Sequence, residues 1–280
     1  MRYLAIATDY DGTLASHGEV FAETVEALDR FRGSGRRLIM VTGRELDELL
    51  EVCNCVDRFE VIVAENGAVL YWPSTRDVEL LCDPPPPEFV ERLRSQNISP
   101  FSVGRVIVAT REPHEKEVLE AIRDLELELQ VIFNKGAVMV LPSGVNKATG
   151  LSAALRRMHL SQHNVVAVGD AENDHTLLKA VECGVAVSNA LDTLKSHAHI
   201  VTERDHGAGV VELIDRILAT DLAELDEHPP THGIPIGVTE DQEPLFLSAY
   251  GTNAVVAGPS GSGKSTLVTA ILESLIEKCY

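Results

Sequence analysis

Short apolar runs recur along much of the chain, and each ends on a polar cluster. YLAIAT (3–8) stops at Asp9, RRLIMVT (36–42) at Gly43 and Arg44, FEVIVA (59–64) at Glu65, Asn66 and Gly67, and NVVAVG (164–169) at Asp170. Continuous apolar runs of this length, rich in β-branched residues, are the pattern of parallel strands buried on both faces. Helical periodicity fills the spaces between them, in AETVEALDRFRGSG (22–35), RELDELLEVC (44–53), KATGLSAALRRMHL (147–160) and ENDHTLLKAVECG (172–184). The alternation predicts an α/β fold, a Rossmann-like doubly wound parallel sheet. Ligands in such sheets bind beyond the carboxyl ends of the strands, and every polar cluster falls at that edge.

The pattern breaks at CDPPPPEF (82–89). A proline run continues neither strand nor helix and reads as a stiff connector. Beyond it the spacing predicts a helix (88–97), a strand (105–110), a helix (114–126) and two strands, LQVIF and AVMVL, around Asn134, Lys135 and Gly136. Residues 83–141 are therefore expected to form a small α+β cap inserted into a core made of 1–82 and 142–220. A last core strand and helix are expected at AHIVT (198–202) and GVVELIDRILATDL (209–222). Residues 221–240, with Pro229, Pro230 and Pro235, read as a linker.

Composition narrows the class. The 280 residues carry a formal net charge of −19, which disfavours a sequence-independent grip on nucleic acid. No apolar run has the length of a membrane span, and acids interrupt the N-terminal run too early for a signal peptide. Five cysteines, an odd number in a long chain, fit free thiols in a reducing cytoplasm. Cys53 and Cys55 have no second pair at zinc-ligand spacing and read as helix-end residues. His159 and His163 read as a surface pair.

The strand-end residues carry the candidate chemistry. Asp9 and Asp11 flank one residue, with Gly12 and Thr13 following. On an extended segment their carboxylates share a face, and at a strand end the turning chain can swing the second beside the first. Crowded carboxylates invite a hard cation such as Mg²⁺. Asp170, Asn173 and Asp174 add oxygen donors from another strand end, Thr42 offers a hydroxyl with backbone N–H groups next to it, and Lys147 offers a fixed positive charge. A metal and a lysine neutralise a phosphoryl group, so that one carboxylate can attack it. The second carboxylate can protonate the leaving oxygen and then deprotonate water.

DYDGTL (9–14), VTGR (41–44), Asn146-Lys147 and GDAEND (169–174) resemble, in order and spacing, the four motifs of the haloacid dehalogenase (HAD) superfamily of phosphatases. AENGA (64–68) and GVAVSNA (184–190) are similar to the Cof-type branch and its sugar-phosphatase relatives, which carry an α/β cap between the second and third motifs. The resemblance covers roughly residues 1–220. It implies Asp9 as nucleophile, Asp11 as general acid/base, and Thr42 and Lys147 as phosphoryl ligands. It implies Mg²⁺ on Asp9, the Asp11 backbone carbonyl and Asp170, with Asn173 and Asp174 in support. Thr13, Gly43, Arg44 and Asn66 complete the expected substrate surroundings. Lys135, in the cap hairpin, reads either as a turn lysine or as a substrate contact. The segment VTERDHGAGV (201–210) departs from the family by lacking its Asn-x-x-Asp-Gly run. The activity implied is Mg²⁺-dependent hydrolysis of a small phosphorylated metabolite, sugar phosphates first. Two other readings stand beside it: a nucleic-acid end-processing phosphatase linked to a P-loop kinase or ATPase, and a ligand-sensing module of an ATPase.

Both of these readings come from the C-terminal residues. Gly258, Gly261, Gly263, Lys264, Ser265 and Thr266 fall in GPSGSGKST, a P-loop motif whose backbone N–H groups cradle phosphates. With PLFLSAYGTNAVVAG before it, the segment 241–280 resembles the start of a hexameric translocase ATPase of the HerA/FtsK type. The second strand of such a domain, which would carry the metal-supporting acid, has no counterpart here. The expectation is therefore a truncated ATPase fragment, with ATP bound and subunits associated through this domain only in a longer chain.

Overall fold

The computed structural model describes residues 1–223, 225, 234–239, 242–247 and 254–277. The first half of the core runs β1 (Ala5–Thr8), α1 (Ala22–Gly33), β2 (Arg37–Val41), α2 (Leu46–Val52), β3 (Val61–Ala64), β4 (Val69–Trp72) and β5 (Asp77–Leu80). The insertion follows as α3 (Pro87–Ser95), β6 (Phe101–Val103), β7 (Val108–Arg111), α4 (Glu115–Asp124), β8 (Leu129–Asn134) and β9 (Ala137–Pro142). The core resumes with α5 (Lys147–Met158), β10 (Val165–Gly169), α6 (His175–Lys179), β11 (Cys183–Ala186), α7 (Asp192–Lys195), β12 (Ile200–Val201) and α8 (His206–Thr220). Beyond it lie β13 (Ile234–Val238), β14 (Pro244–Leu247) and α9 (Lys264–Glu277).

The core sheet has the order β12-β11-β10-β1-β2-β3-β4-β5. The strands from β12 to β3 are parallel, and β4 and β5 are antiparallel additions at one edge. Successive strands leave β1 in opposite directions, so the topological switch point lies between β1 and β10. A ligand crevice is expected there, and Asp9 and Asp170 stand at its two sides.

The hairpin β4–β5 and the strand β11 lie outside the expectations from sequence. Helical periodicity ran on to Gly184, whereas α6 stops at Lys179 and Cys183–Ala186 pairs with β10 and β12. A four-residue strand containing a glycine carries almost no local signal, and its pairing partners decide it. His163 also departs from expectation. His159 ends α5 in the left-handed region (φ 53), and a short turn carries His163 inward, where it is buried with Nδ1 2.8 Å from a Glu182 carboxylate oxygen.

The insertion forms its own four-stranded antiparallel sheet, β6-β7-β9-β8. One face packs on α3 and α4 through Phe89, Leu93, Val108, Val118, Val138 and Val140. Alternation along β9 sends Met139 and Leu141 the other way, into the main core. One strand thus supplies side chains to two apolar clusters.

Part of 221–240, expected to be a linker, is the strand β13, paired antiparallel with β14. The second strand-like run before the P-loop is not a strand. Residues 254–258 have no regular structure, and Val255 is 90% exposed. Its β-branched residues have no neighbouring strand to pair with among the described residues. The glycine loop and helix do form, with Gly261 and Gly263 at positive φ. Lys264 folds back to donate to the carbonyls of Gly258 and Pro259 at 2.7 and 2.6 Å. No helix among the described residues is long and apolar enough to cross a membrane.

Candidate active site

Each polar cluster predicted at a strand end converges on the switch point. The Asp9 N–H continues the β1 ladder by donating to Val168 O at 3.0 Å, which delivers a buried Asp9 side chain beside β10. The chain then turns sharply at Gly12 (φ 88), where a Cβ would lie 2.4 Å from Asp170 Oδ2. Only glycine fits both the conformation and the space. Thr13 is buried and donates its hydroxyl to Asp170 Oδ1 at 3.2 Å, so it braces the acid opposite.

Lys147 is the pivot. Its helix start is fixed by a capping box: Asn146 accepts from the Thr149 N–H, and the Asn146 N–H donates to Thr149 Oγ1, both at 3.0 Å. A cation in a first helical turn opposes the helix dipole, and here carboxylates offset that cost. Lys147, 1% exposed, donates to Asp9 Oδ1 and Asp174 Oδ1, each at 2.6 Å. Asp174 Oδ2 is taken up by the N–H groups of Asp170 and Ala171 at 2.9 and 3.0 Å. Burial opposes the charge on Lys147, but Asp174 and then Asp9 outweigh it and hold its pKa above the usual lysine value. Burial, only partly offset by Lys147 and reinforced by Asp174 and Asp170, pushes the Asp9 carboxyl up to about 7.

Carboxylate oxygens of Asp9, Asp170 and Asp174 lie within 4.8 Å of one another. The Lys135 ammonium, at the tip of the β8–β9 hairpin, reaches this cluster from the cap. It lies 2.7 Å from Asp170 Oδ2 and 3.4 Å from the Asp11 carbonyl. Three carboxylates against two ammonium groups leave an excess of negative charge. The donors are all hard oxygens, and each of the three carboxylates already has an ammonium partner. The set fits a small divalent ion such as Mg²⁺.

A cavity of about 480 Å³ opens above Asp9, between the core and the cap. Asp11 lines it and is gripped in a bidentate pair by Arg44, at 2.6 and 2.7 Å. Arg44 also pairs with Glu48, and its backbone N–H donates to Thr42 Oγ1 at 3.1 Å. Gly43, Arg44 and Asn173 line the cavity too, whereas Thr42, Thr13 and Asn66 are buried outside its lining. Asn66, expected to face a substrate, accepts instead from Asn173 Nδ2 at 3.2 Å and so orients that side chain. Gly67 explains the neighbouring motif position: a Cβ there would lie 2.0 Å from the Asn146 carbonyl, blocking the approach of α5.

Two contributors escaped the sequence reading. Asn189 donates to the Gly12 carbonyl at 2.7 Å and accepts from the His206 N–H at 2.8 Å, tying the Asp9 loop to α8. Its signal was its place in GVAVSNA. Glu65 is fully buried, at positive φ, and accepts backbone N–H bonds from Arg105, Val106 and Ile107 at 2.9, 2.7 and 2.8 Å. A single core carboxylate thus latches the β6–β7 loop of the cap. Each charge-assisted bond contributes about 1.5–3 kcal/mol, so Glu65→Ala is expected to loosen the cap and lower kcat/KM about tenfold or more. Hydrogen exchange at the amides of 105–107 checks it: unchanged protection in the variant would exclude the latch.

The fold and the motifs match known proteins. A family model described as haloacid dehalogenase-like hydrolase matches residues 6–93 and 85–214. Phosphoglycolate phosphatase of Methanothermobacter thermautotrophicus is 32% identical over 223 residues, covering 76% of this chain and 98% of that one. Phosphoglycolate phosphatase 2 of Saccharolobus solfataricus is 29% identical over 225 residues, covering 77% and 93%. Among solved structures, a haloacid dehalogenase-like hydrolase from Bacteroides thetaiotaomicron superimposes with a TM-score of 0.67 at 21% identity, covering 77% of this chain and 99% of that one. A subclass IIB sugar phosphatase of the superfamily gives 0.60 at 19% identity, covering 76% and 98%.

Proposed function

This chain belongs to the haloacid dehalogenase-like hydrolases, and from that membership we propose that it hydrolyses a small phosphate monoester through an aspartyl-phosphate on Asp9. The observation that carries the reading is Lys147, held at 2.6 Å between Asp9 and Asp174 under a cavity that Asp9 lines. A nucleophile and a fixed counter-charge are already in place where a phosphoryl group would arrive.

An Asp9 oxygen forms the new bond to phosphorus as the ester oxygen leaves. Asp11 lies on the cavity wall; released from its pair with Arg44 and protonated, it gives that oxygen its proton, and it afterwards takes one from the water that attacks phosphorus as the Asp9–phosphorus bond breaks. Lys147 matches charge developing on the phosphoryl oxygens. Thr42 and Gly43 shape the second strand end, and Asn173 lies beside them, oriented by Asn66. Asp9, Asp170 and the Asp11 carbonyl would hold Mg²⁺, with Asn173 and Asp174 in support. Bound there, the ion supplies Lewis-acid neutralisation of the phosphoryl oxygens. The names of the relatives point to 2-phosphoglycolate as the first substrate to try, and the cavity also has room for a sugar phosphate. For Gly258–Thr266, support for a phosphate-binding loop remains the sequence motif, and we assign it no part in this reaction.

Turnover of 2-phosphoglycolate or p-nitrophenyl phosphate is expected to appear with Mg²⁺, vanish in excess EDTA and return on adding Mg²⁺ back. Phosphate release measured across that cycle decides it. Metal-independent turnover, or none with any small phosphomonoester, would remove the reading.

A further inference from the structure

The cap strands present a row of side chains that the reaction chemistry leaves unused. Along β7, Val108 and Thr110 are buried, and Val108 packs with Val138 and Val140 of β9. The alternate residue Arg111 pairs in register with Ala137 of β9, and Ala137 pairs with Asn134 of β8. Strand periodicity places all three on one face, and all three line the cavity that Asp9 also lines. Ala137, between the other two in register, adds only a methyl group to that face.

The other cations near the cavity are committed. Lys147 holds Asp9 and Asp174, Lys135 holds Asp170, and Arg44 holds Asp11 and Glu48. Arg111 has no ion pair or side-chain hydrogen bond among the described residues. Beside it, Asn134 lines the same cavity, and its Nδ2 amide group can donate to a carboxylate that Arg111 holds. A guanidinium facing a cavity matches a carboxylate through two parallel N–H bonds. The core wall already serves the phosphoryl end. An anionic group at the other end of a substrate finds one uncommitted cation, on the cap wall.

We propose that Arg111, flanked by Asn134, is the specificity residue that selects phosphorylated carboxylic acids over neutral phosphate esters by binding the substrate carboxylate. The assignment rests on the phosphatase reading and adds to it the residue that reads the non-reacting end.

A matched pair of substrates tests it: 2-phosphoglycolate and 2-hydroxyethyl phosphate, which differ by a carboxylate against a hydroxymethyl group. The wild-type protein is expected to prefer the acid. In Arg111→Gln the ratio of the two kcat/KM values should fall about 10- to 100-fold, the size of a lost charge-assisted pair, chiefly through KM for the acid. Arg111→Lys should recover part of the ratio, since it keeps the charge and loses the fork. Equal losses on both substrates would make Arg111 a structural residue and overturn the proposal, as would a wild-type protein indifferent to the carboxylate. Those outcomes leave the phosphatase reading standing. A wild-type protein that hydrolyses neither ester, nor any other phosphomonoester, removes both.

Discussion

Asp9→Asn is expected to abolish turnover of every phosphate ester the protein accepts, by about three orders of magnitude or more, while the fold persists. The substitution keeps the shape of the side chain and its place at the end of β1. On the proposed reading it removes the charge that attacks phosphorus, so no aspartyl-phosphate would form. Asp9 is buried and shares Lys147 with Asp174. The lysine therefore keeps one carboxylate partner, and the cluster loses one of its mutually repelling charges. A melting temperature near that of the wild type, together with loss of phosphate release, is the expected combination. Wild-type rates in Asp9→Asn would exclude Asp9 as the nucleophile.

Lys147→Met should be severe in a different way, removing both activity and much of the stability. Taking one partner out of a buried ion pair costs about 3–5 kcal/mol, because the remaining charge is left unpaired in a dry site. Here two carboxylates, Asp9 and Asp174, would be left without the ammonium. The loss should depend on pH, and its sign follows from Asp9. Its carboxyl already stands at about 7 because burial outweighs the opposing effect of Lys147. Without the lysine it rises further, so the folded variant holds its proton above pH 7, where the unfolded chain does not. A raised carboxyl pKa contributes stability at low pH that is lost as pH rises through the folded value. In metal-free buffer the melting-temperature gap between variant and wild type should be smallest near pH 6 and widen towards pH 9. A gap independent of pH would count against this assignment of charge.

Much of this site could be read in the chain because its residues mark strand ends, where apolar runs stop. Asp9 and Asp170 each follow such a run, Thr42 closes one, and Lys147 opens a periodic helix. The cap was legible from four prolines and a change of pattern. What stayed hidden depended on pairing or on approach through space. β11 is four residues long and exists because β10 and β12 flank it. Glu65 looked like one more polar strand-end residue, and its three backbone partners lie about forty positions away in the cap. Arg111 only follows the predicted strand 105–110 in the sequence, and the register across β7, β9 and β8 turns it towards the cavity. Asn66 carried a family motif, yet its contact is to Asn173 rather than to open space.

The double membership of β9 bears on where a foreign cap could be joined to this core. Val138 and Val140 belong to the cap cluster, whereas Met139 and Leu141 belong to the core. A recombination point inside this strand would splice two incompatible packing alphabets, and a shift of one residue would swap which interior each side chain enters. Viable chimaeras should therefore join before Pro84 and after Pro142, carrying β9 whole. The incoming strand must then already suit the recipient's core at the positions of Met139 and Leu141. A cap graft onto this chain is thus constrained by one strand's odd-numbered residues, whatever loops it brings to the cavity.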